Sequence, residues 1–416
     1  MLLAAFLQHF DSLPPERYRT LGASSLGRCA RALAMAHFPE AFTPEPMTAR
    51  RRARMMAGIE FERMVQQRIQ AMLPAEAAGE TAFLWPVPVD AETMTRTLDK
   101  IREGRISGHV LHYMNPNDIP RWRHVCREKG MNRLGGIVID PSAETVYVPA
   151  LADGIADLAR MPEFAHEPYA LATQEFKTIA TAGFRKVLGG AVDYGYRTQF
   201  AIQVDAAKLD THVAMFYRLE TSHGIEIIYS RKAEAVKARF ALSNGSAHYA
   251  AAPIQEPADE WDEVQIHHPF EPRLLIQAQE RLRRVLGSTI DALPEREYGP
   301  DFRCPKCKGA GSLKCGHCDA DGIAKRSKVT RQGEPKPGVP CKRSQGSPTV
   351  PCETCAGDPQ GVATAELGFP CGWCPFLASC YPFAKRIIPD KAFARPRIMV
   401  SRTDYEQSGI TYRRPE

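Results

Sequence analysis

The chain has 416 residues, 44% of them hydrophobic, and a formal net charge of +6. That length exceeds one small core and predicts either a large domain with insertions or two to three domains. The modest positive charge permits a polyanionic partner without requiring one.

No run approaches the ~20 apolar residues of a membrane span. The opening "MLLAAFLQHFDSLPPERY" lacks the basic flank and small-residue cleavage site of a secretory leader. The expectation is a cytoplasmic protein with an amphipathic first helix and no membrane partner.

Residues 1–75 read as mostly helical. In "TARRRARMMAGIEFERMVQQRIQAML", Met55, Ile59, Val65, Ile69 and Met72 recur at helical spacing, and Glu62 falls on the same stripe. A carboxylate on a buried face is costly unless it is paired or binds a cation. Residues 80–150 mix short strands ("TAFLWPVPV", "ETVYVPA") with an Arg-rich insertion around "RWRHVCREKG". Residues 151–230 alternate strand and helix, which predicts an α/β core with a mixed sheet flanked by helices. Residues 231–290 hold two helical patterns separated by "APIQEPADEWDE". Residues 300–360 are rich in Gly, Pro, Cys and Lys, as in a metal-held module. The tail from Pro389 reads as irregular.

The acidic residues of the core are ordered suggestively. In "VPALADGIADLAR", Asp153 and Asp157 flank a short apolar run. Gly154–Asp157 could be a turn into a strand with Asp157 at its inner face, and a turn aspartate beside glycine is the plainer alternative. In the strand "LATQEFKT", side chains alternate, so Glu175 and Lys177 share a face and Phe176 points the other way. A structural ion pair explains that pair taken alone. Together, Glu62, Asp157 and Glu175-x-Lys177 have the order that phosphodiester hydrolysis requires. Carboxylates hold a hard divalent cation, Mg2+ or Mn2+, through oxygen. The cation acidifies a bound water, and a lysine beside it stabilises the transition state. Further on, Tyr196, Gln199 and Gln203 share one helical face, where amides could orient the lysine, the water or a phosphate.

Seven of the twelve cysteines lie between Cys304 and Cys355, and three more between Cys371 and Cys380. In a chain with no export signal, C-x2-C pairs indicate metal ligands rather than disulfides. "CPKCKGAGSLKCGHC" is C-x2-C-x7-C-x2-C, which suits tetrahedral zinc. Cys304, Cys307, Cys315 and Cys318 could form one site, or Cys304 and Cys307 could close with Cys352 and Cys355. Cys341 is a spare or completes a second site. The segment resembles the cysteine-rich knuckles of J-domain chaperones, although no His-Pro-Asp signature accompanies it. The basic loop "AKRSKVTRQGEPKPGVPCKRSQG" could follow a DNA backbone or bind a protein.

With Asp157 and Glu175-Phe176-Lys177 as its core, the chain resembles the PD-(D/E)XK nuclease superfamily. More narrowly it is similar to the iron–sulfur RecB-like exonucleases, including the CRISPR-associated spacer-acquisition exonucleases and AddB-type subunits. Those families carry one N-terminal cysteine and three C-terminal ones at C-x2-C-x5-C. "CGWCPFLASC" reproduces this with Cys371, Cys374 and Cys380, and "ASSLGRCARALAMAHF" resembles the helix bearing the lone ligand, here Cys29. The resemblance implies a structural [4Fe-4S] cluster on these four thiolates, clasping the ends of a restriction-endonuclease-like core. It also implies Mg2+ or Mn2+ on Glu62, Asp157 and Glu175 with the Phe176 carbonyl, Lys177 activating water, and Gln199 positioning it or the phosphate. Two motifs depart from the family pattern. Gly58-x3-Glu62 stands where many members have histidine, as in lambda-type exonucleases, and Gln199-x3-Gln203 stands for Gln-x3-Tyr. His109 and His112 are an alternative site.

The resulting expectation has three parts: a nuclease core over 1–298 with an insertion near 80–150, a zinc-knuckle segment over 299–360, and an iron–sulfur closing segment over 361–416. The expected activity is metal-dependent exonucleolytic cleavage of single-stranded DNA or DNA ends. The resemblance sets it in phage or bacterial recombination, repair or CRISPR-related processing, with a recombination, helicase or CRISPR protein as partner. The alternative is a non-catalytic DNA-binding or scaffold subunit that keeps the fold and metals.

Overall fold

The computed structural model describes residues 21–46, 49–72, 81–106, 108–110, 136–160, 168–179, 181–218, 223–242, 247–251, 261–302, 310, 312–314, 345, 347, 349–352, 362–367, 371, 374–387 and 397–411. They belong to two compact units, Met1–Pro294 and Glu295–Glu416. Among the described residues, no helix is long and apolar enough to cross a membrane.

The first unit is mixed α/β. Its strands are β1 (Thr81–Pro88), β2 (Gly108–Val110), β3 (Ile137–Asp140), β4 (Thr145–Ala152), β5 (Gly154–Asp157), β6 (Leu171–Thr178), β7 (Thr211–Arg218), β8 (His223–Ser230), β9 (Lys237–Leu242), β10 (Ala247–Ala251) and β11 (Trp261–Pro269). Its helices are α1 (Ala30–Met35), α2 (Ala49–Met72), α3 (Ala91–Arg102), α4 (Thr181–Leu188), α5 (Tyr194–Ala207) and α6 (Pro272–Leu286). One sheet has the order β1-β4-β3-β2 and the other β10-β9-β11-β8-β7-β6-β5. The larger sheet is mixed: β6 runs parallel to β7, and β8 to β11, while its other pairs are antiparallel.

Asp153 is the single residue between β4 and β5. The chain therefore leaves one sheet and enters the other at that position.

Helix α5 is buried by both sheets. Ile202 and Ala207 join the core over the smaller sheet, with Trp85, Val148 and Leu282. Phe200 and Ala201 join the core over the larger one, with Phe216, Ile227 and Tyr229. Trp85 Nε1 donates to Asp205 Oδ2 at 3.1 Å, which satisfies the indole inside the core. Burying a side chain such as Phe200 is worth roughly 1.5–3 kcal/mol, so both cores fix α5 and the polar residues on its remaining face.

The second unit contains β12 (Ser312–Lys314) paired with β13 (Thr349–Pro351). It also has a three-stranded sheet of β14 (Thr364–Glu366), β15 (Lys385–Ile387) and β16 (Arg397–Ser401), in which β16 is central. The short helices α7 (Leu377–Cys380) and α8 (Arg402–Gln407) accompany it.

Several expectations change. The first helical pattern within 231–290 is instead the hairpin β9–β10, which lengthens the sheet through β11; strand pairing overrode local pattern. Over 397–407 the tail is regular, a strand and a short helix, and Ile398 and Val400 alternate inward along β16. Helix α3 went unread, although its Asp90 cap accepts from Thr93 N. On α2, Met55 and Ile59 are exposed, so the stripe expected to be buried is not buried there.

Candidate active site

Strand β6 carries the site because its alternation sends Thr173, Glu175 and Lys177 towards α5. Glu175 is only 4% exposed. A charge that deep must be compensated, and three donors reach it. Gln199 Nε2 donates to Oε1 at 2.8 Å, Gln203 Nε2 donates to Oε2 at 2.7 Å, and Lys177 Nζ donates to Oε1. Gln199 and Gln203 are four apart on α5, hence neighbours on one helical face. Gln203 Nε2 also donates to Leu151 O, tying Glu175 to the end of β4.

Asp153 completes the arrangement. Its N–H donates to Gln174 O at 2.8 Å, the strand partner of Gly154, so Asp153 lies against β6 at the edge of the paired residues. Its Oδ2 accepts from Phe176 N at 2.8 Å. Asp157 pairs with Leu171, at the other end of β5. Four strand steps separate Leu171 from Glu175, roughly 13 Å, so the register places Asp157 away from Glu175. The sequence assigned the inner position to Asp157, whereas Asp153 is the aspartate that bonds the β6 backbone on both sides of Glu175. The Asp153-Gly154 dipeptide was a usable signal, but only the hairpin register ranks the two aspartates.

Behind Glu175 the interior is tightly filled. Thr173 Oγ1 and His212 Nδ1 are 2.8 Å apart, and the imidazole stacks on Phe200 with centroids 4.1 Å apart. Burial, and then the Lys177 charge, hold the His212 ring far below the usual histidine range, so it is neutral. Tyr196 packs edge-on against Phe216 at 5.4 Å. Its phenol is pushed up by burial, against the lowering effect of Lys177.

Helix α2 rides across the end of β6. A Cβ on Gly58 would meet Thr178 Oγ1 at 2.9 Å, and Phe61 stacks on Tyr217 at 4.6 Å. Glu62 is one turn beyond Gly58 on this helix. The Glu62 and His109 side chains, and His112 entirely, lie outside the described residues.

The oxygen donors at Glu175 are of the type a hard cation prefers. A carboxylate offers about four lone-pair sites, and three at Glu175 are taken. Gln203 Oε1 is buried without a hydrogen-bond partner among the described residues; such an orphan costs about 1–3 kcal/mol. Asp153, Glu175 and this amide oxygen are all oxygen ligands of the kind Mg2+ and Mn2+ prefer. Among the described residues, no three His, Cys, Asp or Glu side chains gather to hold a metal ion.

In the second unit, Cys374 N donates to Cys371 O at 3.2 Å, and Cys380 ends α7. The buried Tyr381 phenol is pushed up by burial and then by Cys380 and Cys371, which pack in the same apolar cluster. Thiolates as a class are soft ligands for iron or zinc. Cys29, in the first unit, caps α1. Of the expected zinc ligands only Cys352 is described, buried beside Leu313 and Val362. Cys304, Cys307, Cys315, Cys318, Cys341 and Cys355 lie outside the described residues.

No family model matches the chain, and comparison with curated proteins and with solved structures likewise found no match.

Proposed function

We propose that the first unit is a metal-dependent nuclease of the PD-(D/E)XK type that hydrolyses phosphodiester bonds in DNA, acting on single strands or ends. The observation that carries this is the β5–β6 hairpin: Asp153 bonds the backbone of Gln174 and of Phe176, on either side of Glu175, and Lys177 follows one alternation later on the same face. Asp153 and Glu175 would hold the cation, joined by Glu62 and the Phe176 carbonyl. A bound Mg2+ or Mn2+ supplies an acidified water and neutralises charge growing on the phosphate. Lys177 Nζ donates to the attacking water or a phosphate oxygen. Gln199 and Gln203 keep the Glu175 carboxylate in one orientation, because each holds a different oxygen.

The same reading assigns Cys29, Cys371, Cys374 and Cys380 to a structural [4Fe-4S] cluster. It assigns zinc to the knuckle cysteines Cys304, Cys307, Cys315, Cys318, Cys352 and Cys355. The biological setting would be phage or bacterial DNA processing.

A second reading has its own support. Glu175 is almost saturated by its three donors, as in a satisfied structural network. A non-catalytic DNA-binding or scaffold subunit would look the same. Cleavage of end-labelled single- and double-stranded DNA in Mg2+ or Mn2+ separates the two. Asp153→Asn, Glu175→Gln and Lys177→Met should each lower the rate by at least roughly a hundredfold, and Asp157→Asn should not. Cleavage that survives Glu175→Gln and Lys177→Met would sink the assignment. Folded wild-type protein that binds DNA but never cuts it would favour the scaffold.

A further inference from the structure

The loop Gly22–Cys29 is built against the start of α5. A Cβ on Gly27 would meet Gly195 Cα at 2.4 Å and Gly195 O at 2.9 Å, so the two backbones touch. Arg281, 7% exposed on α6, locks the contact: its Nη1 donates to Leu26 O at 2.7 Å and to the Tyr194 hydroxyl at 3.2 Å. Ser25 Oγ donates to Gly22 O at 2.8 Å and closes the turn. The loop is therefore held at both ends, and its next residue, Arg28, is fixed in place at the backbone.

Arg28 is exposed, and its guanidinium makes no hydrogen bond or ion pair among the described residues. Its position is set by a chain of neighbours. Gly27 touches Gly195, and Gly195 precedes Tyr196. Tyr196 lies edge-on to Phe216, which is the β7 partner of Lys177. Gln199, which holds Glu175, is one turn further along α5. Arg28 thus follows a loop packed on the start of α5, the helix whose Tyr196 and Gln199 lead to the Glu175 site. The electrostatics agree: Lys177, Asp193, Glu175 and Arg28 all act on the Tyr196 phenol, which burial pushes up.

We propose that Arg28 is a substrate-positioning residue that, with Lys177, seats one backbone phosphate of the DNA strand entering the Glu175 site. This rests on the nuclease reading above. An arginine presents a planar fork that matches two phosphate oxygens. A preformed loop loses little entropy when that contact forms. The contact is made alike in ground and transition states, so it strengthens binding rather than the chemical step.

The test uses the full chain, with Arg28→Gln, Arg28→Lys, Glu175→Gln and the surface control Arg102→Gln. Steady-state cleavage of a single-stranded oligonucleotide gives KM and kcat. Binding of the same oligonucleotide in chelator, titrated with salt, gives the slope of log K against log salt. Arg28→Gln should raise KM about tenfold, leave kcat within about twofold, and reduce the slope by about 0.7, one phosphate contact. Arg28→Lys should keep most of the slope, and Arg102→Gln should match wild type. Loss of cleavage in Glu175→Gln, with Arg28→Gln indistinguishable from Arg102→Gln, would overturn the role of Arg28 and leave the nuclease reading standing. Cleavage that persists in Glu175→Gln would remove both. Unchanged melting temperatures keep a folding defect from mimicking the effect.

Discussion

Lys177→Met is the sharpest perturbation of the site's physics. In the folded chain Glu175 is nearly buried, with Lys177 as its ion-pair partner and two neutral amides as its other donors. The methionine keeps the stem and removes the charge. Gln199 and Gln203 remain, but a buried carboxylate loses its counter-ion. Breaking a buried pair from one side costs about 3–5 kcal/mol. The Lys177 side chain is 21% exposed, so water compensates in part and the lower end applies. About 3 kcal/mol is expected, or roughly 6 °C in melting temperature for a unit of this size. Glu175→Gln leaves several donors facing an amide and is also destabilising, whereas the double substitution should recover part of the loss. The cycle should return a coupling of at least about 1.5 kcal/mol. Hydrogen exchange of peptides covering β6 and α5 reads the effect locally, which matters because two units need not unfold together. Lys177→Met within about 0.5 kcal/mol of wild type, with no coupling, would refute the buried pair.

Three further predictions follow from other parts of the molecule. Gly27→Ala should destabilise by more than about 2 kcal/mol, since its Cβ meets backbone that cannot swing aside; Gly195→Ala, whose Cβ would come no nearer than 3.8 Å to Gly27 O, should be neutral or stabilising by about 0.5–1 kcal/mol. Equal melting temperatures for the two would disprove that asymmetry. Burial, then Lys100 and Arg105, lower the His37 pKa from 6.5 to about 3. The unfolded chain therefore binds that proton first, and stability should fall below pH 6.5 by about 1.4 kcal/mol per pH unit until about pH 3. His37→Gln should flatten a urea-derived stability profile by that slope between pH 6 and 4, and an unchanged profile would mean the imidazole is not buried neutral. Anaerobically purified protein should carry about four iron atoms per chain with broad visible absorption, lost in Cys380→Ser; zinc without iron would reassign Cys371, Cys374 and Cys380 to a zinc site.

How much was legible in the residues differs from element to element. Strand β6 was readable because period-two alternation puts Glu175 and Lys177 on one face whatever surrounds them. Gln199 and Gln203 were readable as one helical face for the same local reason. The strands β9 and β10 were not, because their identity comes from partners such as β11 rather than from their own pattern. The stripe on α2 misled: apolar residues at helical spacing are buried only where something packs on them, and Met55 and Ile59 remain exposed.

The sequence by itself determined the α/β character of the first unit, the shared face of Glu175 and Lys177, and the thiol pairs of the C-terminal half, since each follows from local spacing. Tertiary structure decided which aspartate borders Glu175 on β6. Register is a property of two strands together, and a slip of one residue would turn every side chain to the other face. It also decided that both glutamines grip the same carboxylate, and that the loop before Arg28 packs on the start of α5, because a bare Gly27–Gly195 backbone contact unites segments far apart in the chain.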